Sequence, residues 1–208
     1  RALTRYYIDA GAGGLAVGSV SAETAPAPTA APEAKPPQKL PFYVYSDQAD
    51  HFIPSGYMGD TSDITIIGMY KQNPAKGQSC MKVKYSGKAG QGNKWAGVYW
   101  QDPANNWGTV KGAGYNLAGA RKLKFMARGD KGGEVVEFKS GGISGEFPDS
   151  YRAEAPIVTL TAEWQEYVID LDGQDLSTVI GGFIFALAND KNPDGCTFYL
   201  DEIRFQGE

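Results

Sequence analysis

Apolar and polar positions alternate with a period of two along many short stretches of this chain. At 122–128, Leu123, Phe125 and Ala127 point one way, while Lys122, Lys124, Met126 and Arg128 point the other. At 95–101, Trp95, Tyr99 and Gln101 share one face of a strand, with Ala96, Val98 and Trp100 on the opposite face. Tyr167, Ile169 and Leu171 also alternate, but Trp164 and Val168 fall on the other parity, which predicts a strand that is buried on both faces or bulged. Similar runs predict strands at 42–46, 64–70, 79–85, 134–139, 157–160, 165–171, 182–188 and 197–205. A long loop is expected over 47–63, and a single helical turn over 174–179. Turn residues separate the runs, as in Gly-Asp-Lys-Gly-Gly and Asn-Pro-Asp-Gly. No helical period is sustained. The pattern predicts an all-β, antiparallel sandwich or barrel.

The first forty residues break this pattern. Residues 1–20 join a short strand-like run to a glycine-rich one, and 21–40 are dominated by Ala, Pro, Thr and Glu. The second segment buries too little apolar surface to fold alone and reads as an extended linker. Gly11, Gly13 and Ala16 fit a loose dinucleotide fingerprint, but the helix and second strand that such a site requires do not follow. The domain reading is therefore an N-terminal arm at 1–20, a linker at 21–40 and a β-sandwich at 41–208. Leu3, Tyr6 and Ile8 give the arm the composition of a strand donated to a neighbouring sheet.

Composition narrows the chemistry. The net charge of −4 argues against nucleic acid or an anionic membrane as partner. The longest apolar run near the N-terminus, 11–20, is too short to span a bilayer. A single histidine, His51, leaves little room for a zinc site or a catalytic triad. Cys80 and Cys196 are two buried thiols or one disulfide, the latter worth roughly 4–5 kcal/mol in the loop-entropy account.

Three of the four tryptophans fall between residues 95 and 107, where a strand runs into an Asn- and Gly-rich loop. Flat rings beside amide side chains suit a neutral polyhydroxylated ligand: the rings cover C–H faces and the amides exchange hydrogen bonds with hydroxyls. Trp95, Tyr99, Gln101, Asn106 and Trp107 are the candidate ligand-binding residues, although Trp95, Tyr99 and Trp100 equally suit a sandwich core. Trp107, in polar loop sequence, is the one expected to be exposed. A glycosidase needs two converging carboxylates. Asp102, Glu134, Glu137, Glu146 and Asp149 are available, but Glu134 and Glu137 lie three apart and face opposite sides of a regular strand. No Gly-x-Ser-x-Gly elbow occurs. A non-catalytic protein is expected.

The strand Gly-x-Ser-Cys-Met-Lys-Val-Lys-Tyr, the strand Trp-Ala-Gly-Val-Tyr-Trp and the run Leu-Ala-Gly-Ala-Arg-Lys-Leu-Lys-Phe-Met-Ala-Arg-Gly carry a resemblance. So do Glu-Trp-Gln-Glu-Tyr-Val-Ile-Asp-Leu, Gly-Gly-Phe-Ile-Phe and the closing Phe-Tyr-Leu-Asp-Glu-Ile-Arg-Phe. Over 41–208 the chain resembles the galactose-binding-like jelly-roll sandwiches found among carbohydrate-binding modules. The resemblance implies a structural calcium joining early and final strands, with Asp201 and either Asp47 or Asp60 as the matching oxygen ligands. It also implies that the strand at 79–85 lies beside the closing strand, which favours a Cys80–Cys196 disulfide.

Two functional readings follow. In the first, the sandwich binds a polysaccharide or glycan outside the cell, secreted or at the surface. In the second, it is a subunit of an extracellular filament or layer, a homopolymer built by donation of residues 1–20 to the sheet of the next copy.

Overall fold

The computed structural model describes residues 35–207. The arm, with Leu3, Tyr6 and Ile8, and the linker as far as residue 34 lie outside the described residues. Where the description begins, the chain is docked on the sandwich. The amide of Gln38 donates to the carbonyl of Asn116 (2.8 Å), and the Lys35 ammonium donates to the carbonyl of Gly114.

Twelve strands and one 3-10 turn form two antiparallel sheets among the described residues. The first sheet has the order β10 (Gln165–Asp170), β6 (Lys122–Gly129), β12 (Cys196–Gln206), β4 (Cys80–Tyr85), β3 (Ile64–Tyr70), with β1 (Phe42–Tyr45) also paired to β12. The second has the order β2 (Ile53–Gly59), β5 (Trp95–Gln101), β11 (Gly181–Ala188), β7 (Val135–Gly141), β8 (Arg152–Glu154), with β9 (Val158–Thr159) paired to β7.

The core lies between the two inner faces and is chiefly aromatic. Trp100, Phe125, Phe138, Phe183, Phe185 and Phe198 are fully buried. Most of their rings meet edge-on or tilted, as for Phe125 and Phe138 (centroids 4.7 Å apart) and Phe185 and Phe198 (5.2 Å), while Phe138 and Phe183 stack. Leu123, Phe125 and Ala127 face inward, and Ala96, Val98 and Trp100 do the same on β5. Here the period of two reports burial directly, because each sheet has one dry face.

Four expectations need correction. The stretch 47–63 is not one loop but contains β2. Pro54, Gly56 and Gly59 disguise it as turn sequence, yet β2 is an edge strand, where a proline without an N–H leaves no ladder bond unmade. Gly59 is required there: at φ +69, a Cβ would lie 2.2 Å from the Trp95 carbonyl oxygen. No helical turn forms over 174–179. That segment instead bridges to the 115–117 loop, through reciprocal bonds between Tyr115 and Val179. On β10, Val168 is exposed and the strand has a single buried face.

The fourth correction concerns the cysteines. Strands β4 and β12 are neighbours, but they run antiparallel with Cys196 opposite Tyr85 and Leu200 opposite Met81. Cys80 therefore lies at one end of β4 and Cys196 beside the other, about 16 Å apart at 3.3 Å per residue. That exceeds the reach of a disulfide, and both are free thiols. Burial pushes Cys80 up to about 11, with the charge of Asp201 adding to it, and Cys196 up to about 12, with Glu134 adding to it. Both remain protonated and unreactive at ordinary pH.

Candidate functional site

The outer face of the second sheet carries the aromatic stretch. Strand β5 points Trp95, Gly97 and Tyr99 outward, since their alternates Ala96, Val98 and Trp100 are locked in the core. Trp95 and Tyr99 stand about 13 Å apart along the strand. Between them, Gly97 is opposite Met58 on β2 and Ala186 on β11, so the middle of the face is low. A side chain at Gly97 would meet the Phe185 carbonyl oxygen at 2.8 Å.

Trp107 reaches the same face from the loop that follows β5. Its ring meets that of Tyr99 edge to face, with centroids 5.5 Å apart and planes at 75°. Trp95 is 40% and Trp107 39% exposed, unusually open for tryptophan in a protein with a full core. Burial, and then the charge of Asp149, push the Tyr99 phenol above its ordinary range, so it is a neutral hydroxyl that can donate or accept.

Gln101 and Asn106 have another task. Both are buried, at 0% and 1% exposure. The Gln101 carboxamide accepts from the Ser55 hydroxyl (2.9 Å) and donates to the Asn106 carbonyl (2.9 Å). The Asn106 side-chain oxygen accepts the N–H groups of Gly108, Thr109 and Val110 at 3.0–3.3 Å, and its amide donates to the Asp102 carbonyl. These two residues brace the loop that presents Trp107 rather than facing outward themselves. Their polarity was legible in the sequence; their burial was not.

The other half of the face is charged. In register across four strands run Tyr99, Ile184, Lys139 and Glu154. Lys139 pairs with Glu137 at 2.8 Å and more distantly with Glu154, which also approaches Arg152 at 3.7 Å. Sequence reasoning missed Lys139, Arg152 and Glu154 as site residues. Lys139 lies two residues from Glu137 and shares its face of β7, but only sheet order sets it beside Tyr99. Of the other acids, Glu134 lies buried away from this face. Both carboxylate oxygens of Asp149 take backbone N–H groups, from Ile143, Ile180 and Gly181.

Of the aspartates matched to a calcium site, Asp47 and Asp201 hold the same loop at 75–79, and Asp60 holds another. Asp47 accepts the N–H groups of Gln78 and Ser79. Asp201 accepts those of Ala75, Lys76 and Glu202. Asp60 belongs to another loop and accepts those of Gln91, Asn93 and Lys94. Among the described residues, no group of three His, Cys, Asp or Glu side chains is arranged to hold a metal ion. These carboxylates fasten loops by accepting backbone N–H groups.

Burial pushes the Asp201 carboxyl up to about 6, against the downward pull of the Lys76, Glu202 and Ala75 N–H groups. The unfolded chain titrates near about 3.9. Between these values the folded state binds the proton more tightly, so the contribution of this group to stability falls as pH rises from about 4 to 6. Asp201→Asn removes that slope. Urea denaturation at pH of about 4 and about 7 is expected to show the variant gaining about 1–3 kcal/mol relative to wild type across the interval. A pH-independent difference would contradict the assignment.

No protein-family model matches the sequence, and no curated protein is similar to it. Solved structures do match in fold. Two crystal structures of a family 30 carbohydrate-binding module superpose with TM-scores of 0.51 and 0.50, each at 16% identity. Each covers 79% of this chain, and 97% and 86% of the respective module. The fold is a jelly-roll β-sandwich. A family 30 module of a cellulosomal cellulase from Clostridium thermocellum also aligns, with a TM-score of 0.49 and 17% identity over 79% of this chain and 96% of that one. Identities this low establish the architecture of the sandwich and leave its ligand to the side chains.

Proposed function

We propose that the sandwich is a non-catalytic glycan-binding module, and that the outer face of its second sheet is the binding surface. The observation that carries this reading is the exposed Trp107 set edge-on against Tyr99 by a loop whose polar groups are consumed in holding it there. A ring kept exposed by a buried brace is built to be touched. Sugar C–H faces stack on Trp95, Tyr99 and Trp107, and sugar hydroxyls meet Lys139, Glu137 and Glu154 across the low centre at Gly97 and Ala186. The fold shared with carbohydrate-binding modules supports the reading. So does the mixture of rings and charged donors, which suits a neutral polyhydroxylated chain better than an apolar or a strongly charged one. Binding of this kind places the protein where polysaccharide is found, outside the cell or on its surface.

Trp107→Ala is expected to weaken retention on an insoluble polysaccharide that the wild type binds, by about 1–3 kcal/mol, the range for an aromatic ring stacked on a ring of the ligand. Affinity electrophoresis and pull-down across a panel of plant and microbial polysaccharides measure it. Unchanged retention on every polysaccharide that the wild type binds would overturn the reading.

The filament reading has one feature in its favour. Strand β3 is an edge of the first sheet and leaves Ile67 and Met69 exposed, at 40% and 62%. An open, apolar edge can accept a strand from another copy. Size-exclusion of the full chain beside a version beginning at Lys35 tests it, and assembly that is unaffected by the deletion argues against donation by residues 1–20.

A further inference from the structure

A second concavity lies at one end of the sandwich, apart from the aromatic face. Its volume is about 700 Å³, and it sits where β3 begins, β4 ends and the turns at 130–134 and 191–195 come together. Tyr85 and Cys196 are opposite one another in register, and both line it, as do Asp63 and Glu134.

Three oxygens at this pocket have no hydrogen-bond partner among the described residues: the free oxygens of Asp63 and Glu134 and the Tyr85 hydroxyl. Their residues are 6%, 8% and 3% exposed. The other Glu134 oxygen is occupied, accepting the N–H groups of Asp130 (2.8 Å) and Lys131 (2.9 Å). A buried acceptor without a donor is unfavourable, and native proteins rarely leave several together without a use for them. Elsewhere in this protein buried carboxylates are fully bonded, as Asp60, Asp149 and Asp201 are. Among the described residues the other two buried unpartnered side-chain atoms, Trp100 Nε1 and Arg128 Nε, are donors, so unpaired acceptors are concentrated at this end.

The lining also sets the sign of the ligand. Asp130 and Asp194 add acidic groups, while Lys84, Lys131 and Lys191 bring ammonium groups to the same walls. Carboxylates exclude an anion, and three lysines disfavour a free cation. Neutral hydroxyls suit both, because each O–H donates to a carboxylate and accepts from an ammonium.

We propose that this pocket is a second ligand site, which takes one neutral sugar residue as a free monosaccharide or a chain end. Its hydroxyls donate to Asp63, Glu134 and Tyr85. Each oxygen is buried in the free protein, so the sugar reaches them by displacing the turn at 130–133, which carries no side chain at Gly132 or Gly133. The site stands apart from the sheet-face reading, and either can fail alone.

The test is an amide chemical-shift map of the full ¹⁵N-labelled chain, titrated separately with the neutral sugars glucose, galactose, mannose and xylose, and with glucosamine as a cationic control. At least one is expected to move the amides at 130–135 and 192–197. Glu134→Gln is expected to weaken that response about tenfold or more, the loss of a hydrogen bond to a charged acceptor. Trp107→Ala is expected to leave it unchanged. No response in those amides to any of the four sugars overturns the proposal, and this result needs only the wild type, so it holds even if a variant misfolds. A response to glucosamine alone also overturns it, because the site then selects a cation. Shifts confined to 95–101 and 107–109 would support the sheet face and overturn the end pocket.

Discussion

Asn106→Ala is expected to lower stability by about 2–4 kcal/mol and to weaken glycan retention together with it. The Asn106 side-chain oxygen collects three backbone N–H groups of the loop, and its amide ties the loop back to Asp102. Alanine leaves those donors unpaired in a spot where Asn106 is 1% exposed, and a buried group without a partner costs about 1–3 kcal/mol. Trp107 follows directly in the chain, so a loosened loop no longer holds its ring against Tyr99. Asn106→Asp keeps the acceptor but loses the donor to Asp102, and is expected to recover only part of the stability. Urea denaturation and polysaccharide retention, measured on both variants, separate two roles. A variant as stable as wild type that binds poorly would make Asn106 a direct ligand contact instead of a brace.

Phe138→Ala is expected to cost about 3–5 kcal/mol, the range for removing a buried ring and leaving a cavity. Phe138 is fully buried on β7, with neighbouring rings from both sheets: Phe183 on its own sheet, and Phe125 and Phe198 on the other. It therefore fastens one sheet to the other. Chemical denaturation of the variant measures the loss. Its retention per folded molecule is expected to match wild type, because Phe138 faces away from the outer surface. A loss below about 1 kcal/mol would mean that the two sheets can close over the gap.

Wherever each strand has one dry face, the structure is close to what alternation predicts. Leu123, Phe125 and Ala127 on β6 and Ala96, Val98 and Trp100 on β5 are buried as read. Strand β2 escaped because Pro54 and Gly56 are turn residues by composition, and only its position at a sheet edge makes them compatible with pairing. The disulfide escaped for a related reason. Adjacency of β4 and β12 was inferred correctly, but direction and register decide which residues face each other, and these placed Cys80 and Cys196 at opposite ends.

By itself the sequence determined the all-β class, the inward and outward positions of the regular strands and the exposure of Trp107. Each of these depends on local periodicity and on the polarity of near neighbours. Tertiary structure alone decided that Gln101 and Asn106 are buried braces, that Lys139 and Glu154 join Tyr99 in one row, and that Asp47 and Asp201 fasten one loop and Asp60 another. It also decided that Asp63, Tyr85 and Glu134 meet at one end of the sandwich. These residues are as much as 71 positions apart in the chain, and what brings them together is the order and register of strands. That order is set by the packing of two whole sheets, which no short window of sequence contains.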